Sequence, residues 1–102
     1  MRIERWDRER LGPPNEDALR KKLDALGYQV TRFVYPPGTV FETHTHEVDK
    51  IDAVVSGRFL IRMGAQSAVL EAGDAVFVPR GMPHHAEVVG EEPVVSLDAL
   101  KR

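Results

Sequence analysis

Gly38-Thr39-Val40-Phe41-Glu42-Thr43-His44-Thr45-His46 is the stretch on which the reading of this chain turns. Val, Phe and Thr favour a pleated strand, and in a strand residues two apart project to the same face. His44 and His46 are therefore expected to hold their imidazoles side by side, as two arms of a metal site. The spacing alone does not separate such a site from a solvated strand face, where a His-x-His pair has no task.

Around this stretch the texture is uniform. From Tyr28 onward, short runs rich in Val, Ile, Phe and Thr alternate with turn signals at Pro36-Pro37-Gly38, Ser56-Gly57, Met63-Gly64, Ala72-Gly73-Asp74, Pro79-Arg80-Gly81 and Gly90. The runs predict strands at 28–35, 39–46, 50–56, 58–63, 67–71, 75–79, 84–89 and 93–99. Many short strands with regular turns mean an all-β sandwich or barrel. One helix is predicted over 15–26. Asn15 can cap it, Glu16 and Asp17 suit its first turn, Leu19, Leu23 and Leu26 form an apolar stripe, and Gly27 suits its end. Residues 1–12 mix Arg and Glu with Ile3, Trp6 and Leu11, and read equally as a loose arm or an edge strand. The organisation expected is one domain, with an arm and helix over 1–27 and a β-barrel over 28–102.

The bulk numbers narrow the partners. With 102 residues and 42% hydrophobic content, one modest core is available. A net charge of −2 from 14 basic and 16 acidic residues leaves no broad field of one sign for phosphates, so nucleic acid and anionic membrane are not expected partners. No apolar run reaches the ~20 residues of a membrane span, and the start, Met-Arg-Ile-Glu-Arg-Trp, lacks a secretion signal's apolar stretch, so a cytoplasmic location is expected. There is no cysteine, so any metal is held by nitrogen and oxygen.

Two spaced blocks extend the His-x-His pair. The first runs Gly38, five residues, His44-Thr45-His46, then Gly57; the second runs Gly73, five residues, Pro79, Gly81 and His84. Together they resemble the cupin motifs G(X)5HXH(X)3,4E(X)6G and G(X)5PXG(X)2H(X)3N, over residues 38–88, about half the chain. The resemblance implies a double-stranded β-helix, or jelly-roll barrel, in which His84 completes a metal site begun by His44 and His46. It also implies a divalent transition metal (Fe, Mn, Ni, Cu or Zn), a small-molecule ligand or substrate and, commonly, a homodimer.

Two motif positions depart from the pattern. Lys50 stands where the motif has glutamate, and Val88 where it has asparagine. An ammonium cannot ligate and repels a dication. Lys50 and Asp52, two apart on one strand, are expected to enter the barrel together as an ion pair. They are the candidate catalytic residues, Asp52 as fourth ligand or general base and Lys50 as a cationic anchor for a carboxylate or enolate. The bland alternative is a buried pair that only fixes register. Glu47 and Asp49 are lesser oxygen-ligand candidates, His85 should face outward, and Arg58, Arg62 and Arg80 read as solvated. Phe41, Phe59, Met63, Phe77 and Met82 read as barrel lining and core.

Three functions follow as expectations. The first is a metal-dependent enzyme acting on a small polar or carboxylated molecule, of the dioxygenase, isomerase, decarboxylase or lyase type. The second is a non-catalytic small-ligand-binding module, and the third a structural dimer whose site Lys50 has silenced. Fold alone does not choose among them.

Overall fold

Alternating inward apolar positions close the strands of this chain into two facing sheets. The computed structural model describes residues 1–102. It contains β1 (Arg2–Glu4), α1 (Arg8–Leu11), α2 (Glu16–Ala25), β2 (Tyr28–Tyr35), β3 (Val40–His44), β4 (Lys50–Ser56), β5 (Arg58–Met63), β6 (Gln66–Leu70), β7 (Ala75–Val78), β8 (His84–Val89) and β9 (Val94–Lys101). A five-stranded sheet in the order β1-β7-β4-β9-β2 faces a four-stranded sheet in the order β3-β8-β5-β6. Neighbouring strands pair antiparallel throughout. This is the jelly-roll barrel that the resemblance implies.

The barrel interior is filled from both sheets by Val54, Phe59, Ile61, Met63, Leu70, Val76, Val78, Ala86, Val88 and Val94. On β8 the alternation is regular, so His84, Ala86 and Val88 all point inward while His85 and Glu87 face the other way. A second cluster covers the outer face of the five-stranded sheet, where Leu19 and Leu23 of α2 pack on Tyr28, Ala53, Leu97 and Ala99. Strands β4 and β9 are therefore enclosed on both faces. Such strands are ordinarily apolar throughout, yet Lys50, Asp52 and Ser96 are all buried on them.

The helix begins as its residues dictate, with the Asn15 side chain accepting a hydrogen bond from the Ala18 amide at 2.9 Å. The N-terminal stretch, undecided between arm and edge strand, contributes both. Arg2–Glu4 pair with β7 at the sheet edge, and a turn of helix follows, capped by Asp7.

One strand differs from expectation in a way that matters for the site. The predicted strand 39–46 ends at His44, and its pairing with β8 shifts between Phe41, opposite Ala86, and His44, opposite His84. Three residues on β3 thus span two on β8, a β-bulge. Without the bulge Thr43 would share the inward face of Phe41; with it, His44 does.

Candidate metal centre

The bulge sets His44 directly across from His84, with ring centroids 4.3 Å apart. His46 lies beyond the end of β3 and closes the group from the loop, its centroid 4.7 Å from His44 and 5.0 Å from His84. The two imidazoles of the His-x-His pair thus meet through a bulge and a loop, and not through the simple alternation expected of strand 39–46. One ligand nitrogen from each of the three rings lies within 4.8 Å of the others.

Hydrogen bonds orient two of the rings. His44 Nδ1 donates to the Glu42 carbonyl at 2.7 Å and His84 Nδ1 to the Met82 carbonyl at 2.8 Å. A carbonyl oxygen only accepts, so each Nδ1 carries the proton and each Nε2 keeps its lone pair, the tautomer a metal ligand needs. His44 Nε2 and His46 Nε2 are 3.0 Å apart. The two are hydrogen-bonded, and the same separation suits two nitrogens held at ~2.1 Å from one ion with roughly a right angle between them. Burial, reinforced by the Lys50 ammonium and His44, holds His46 below the ordinary imidazole value. Burial does the same for His84, against the Met82 hydrogen bond. Both are therefore neutral near pH 7, the form that ligates. Three neutral imidazoles with no thiolate suit a divalent transition-metal ion.

Across the cavity stands a wall of charge. The Lys50 ammonium lies 3.2 Å from Asp52 Oδ1 and 2.9 Å from Asp98 Oδ1. Lys50 is 5% and Asp52 7% exposed. Burial pulls the Lys50 ammonium towards deprotonation, but the two carboxylates outweigh it and leave its pKa above the ordinary lysine value. Asp52 is pushed up to about 6, first by burial and further by Asp98, against the pull of Lys50. Burial and the same two carboxylates keep the Tyr35 phenol protonated. Tyr35, Phe41, Phe59 and Ala86 complete the lining of a cavity of about 180 Å³. At ~30 Å³ per water it has room for a small metabolite, and it is below drug-sized pockets.

The structure thus brings Lys50 and Asp52 into the same cavity as the three histidines. No carboxylate joins the converging nitrogens. Asp49 instead accepts the Arg80 amide at 2.8 Å, fixing a loop, and Glu47 is exposed. His85 is turned away and bonds Glu87 at 3.1 Å. Arg58 and Arg62 are exposed. Phe77 lies on the outer face under Arg2 and Met82 is 38% exposed, so neither lines the barrel. Sequence reasoning missed Asp98. Its signal was the alternation Val94, Ser96, Asp98 on the last strand, two polar residues on a face that should be apolar.

Two antiparallel sheets closed over a core, with three imidazoles converging inside, define the class: a jelly-roll barrel with a nitrogen-donor metal-site geometry. Residues 31–100 match the cupin domain family, and the chain belongs to it. It is 30% identical over 89 residues to nitrosourea synthase of Streptomyces achromogenes subsp. streptozoticus, covering 86% of this chain and 18% of that protein. Among solved structures, the DMSP lyase DddQ from Ruegeria pomeroyi superposes with a TM-score of 0.67 at 25% identity, over 74% of this chain and 39% of the lyase. Oxalate decarboxylase from Bacillus subtilis, a protein with Mn(II) centres, gives 0.66 at 27% identity, over 74% of this chain and 22% of the decarboxylase. The chain thus spans less than half the length of each of these three proteins.

Proposed function

We propose that this cupin is an enzyme acting on a small polar molecule, with a divalent transition-metal ion held by His44, His46 and His84, with Asp52 as the acid–base group and with Lys50 as a permanent cation beside it. The observation that carries the reading is the pair of backbone-fixed tautomers, which turn the Nε2 atoms of His44 and His84 into the cavity that Asp52 enters from the opposite wall. A bound dication supplies Lewis-acid polarisation of a carbonyl, activation of water, or dioxygen chemistry at the positions three imidazoles leave open. Asp52, with its pKa raised to about 6, exchanges a proton close to neutral pH. Lys50 stays an ammonium and donates hydrogen bonds, and the protonated Tyr35 phenol offers a further donor.

The reaction class is dioxygenase, isomerase, decarboxylase or lyase, and the lyase and decarboxylase among the similar structures support that range. Lys50 faces two carboxylates, so its charge is already matched within the protein. A carboxylate on the substrate is then drawn by the metal and not by Lys50, which revises the anchoring role expected of that residue. The protein works in the cytoplasm as a homodimer. The dimer is supported by the exposed Phe33, Val34 and Val40 on the sheet-edge strands β2 and β3.

Elemental analysis of the protein purified without added metal, beside His84→Ala, tests the reading. About one transition-metal ion per chain, lost in the variant, is the expected result. The absence of both bound metal and uptake from solution overturns it. Metal bound, but no turnover of small polar metabolites that stabilise the loaded protein, moves the reading to a non-catalytic binding module.

A further inference from the structure

Lys50 is an unfavourable neighbour for the centre just described. Its ammonium enters the cavity lined by His44, His46 and His84, it is long and unbranched, and a monocation beside a dication is repelled strongly where water is scarce. Something must hold it to the far wall. Asp52, two residues along the same strand, holds it only along β4. Asp98 comes from the neighbouring strand, is directly opposed to Asp52 in the register of β4 and β9, and makes the closer contact with Nζ. Its carboxylate is not among the groups that converge on the metal position.

We propose that Asp98 is a positioning residue for the metal centre: across β4 and β9 it draws the Lys50 ammonium onto the sheet wall, away from the face where the three imidazoles converge. This rests on the metal-centre reading above. Two consequences separate it from a purely structural ion pair. With Asp98 present the wall carries two carboxylates against one ammonium, a balance that welcomes a dication. Without Asp98 the balance is lost and Nζ is freed to swing across the cavity. The harm done by removing Asp98 is therefore caused by Lys50, and removing Lys50 as well should undo it.

The test is metal affinity, measured by competition with a chromogenic chelator, using Zn²⁺ and Mn²⁺ separately as probes. The proteins are wild type, Asp98→Asn, Lys50→Met and the double variant, each checked for native circular dichroism. Asp98→Asn is expected to weaken binding about 10- to 100-fold, the usual effect of losing an outer-sphere partner. The double variant is expected to return to within about threefold of wild type, the scatter typical of single contributions. Lys50→Met alone should bind at least as tightly as wild type, and this holds as a test even if Asp98→Asn does not fold. Unchanged affinity in Asp98→Asn, or weaker binding in Lys50→Met, overturns the proposal. Loss in Asp98→Asn with no recovery in the double variant overturns it too, and makes Asp98 a ligand. Should wild type bind neither ion, the metal-centre reading falls and this proposal with it, whereas binding by wild type with an unresponsive Asp98 sinks the proposal alone.

Discussion

Asp52 on β4 and Asp98 on β9 are directly opposed Cα partners, and the Lys50 ammonium sits against both carboxylates, 3.2 Å from one and 2.9 Å from the other. Like charges directly opposite on a sheet destabilise it. Lys50 is what makes the arrangement tolerable, because it neutralises one of the two charges where little water reaches.

Lys50→Met is therefore expected to lower the unfolding free energy at pH 8 by about 3 kcal/mol, in the range found when one partner of a buried pair is removed. At pH 4.5 the loss should be much smaller, because protonation relieves the stranded carboxylates. Urea unfolding at the two pH values measures this. Equal losses at both would mean that the lysine stem matters through packing alone.

How this wall escaped the sequence is instructive. Lys50 and Asp52 are legible because strand alternation is local: two residues apart means one face. Asp98 belongs with them only through the register of β4 with β9, set by the packing of two distant strands. The all-β sandwich or barrel was legible because turn residues punctuate every strand, whereas the jelly roll and the role of His84 came from the resemblance of the two spaced blocks to the cupin motifs; the regular alternation of β8 is what turns His84 inward. His44 and His46 do converge with His84, but by a route that strand alternation does not supply. The bulge that turns His44 inward adds one residue to β3, and nothing in Glu42-Thr43 announces it.

The pH dependence of stability has two opposing parts. Asp52 goes from 3.8 to about 6 on folding, so its contribution is fully present below the lower value and is lost as pH rises through the higher one. The loss is on the order of 3 kcal/mol. His46 and His84 lie below their ordinary 6.5 in the fold. Their contribution is present above 6.5 and is lost as pH falls through their folded values. In metal-free wild type the two slopes oppose each other below pH 6.5. Asp52→Asn should leave only the histidine slope, so its urea midpoint is expected to climb with pH over that interval. A flat profile in the variant would place the histidines outside this balance.

Metal should stabilise the fold only through an intact centre. At a free ion concentration near 1,000 times Kd, binding contributes about 4 kcal/mol to stability. Wild type is expected to gain several degrees in Tm on adding the ion and to lose them in chelator. His84→Ala should show no gain. His84 is only 2% exposed, so its truncation also leaves a void. A lower Tm of the variant in chelator measures that void, and the missing increment on adding metal measures the centre.

Two motif glycines separate backbone conformation from close approach. Gly38 and Gly57 both have positive φ, +83° and +86°, but a Cβ at Gly38 would meet nothing within 4 Å, whereas at Gly57 it would lie 2.3 Å from the Pro93 carbonyl oxygen and 2.9 Å from Val94 Cα. Gly38→Ala carries only the left-handed penalty, about 1 kcal/mol. Gly57→Ala must in addition push the β4–β5 turn off the start of β9. Backbone cannot yield as a side-chain tip does, so the cost should reach about 3 kcal/mol or more. Urea unfolding of the two variants side by side decides it. If they lose equal stability, the turn relaxes freely, and the glycine at 57 serves its φ angle and not the packing of β9 against the turn.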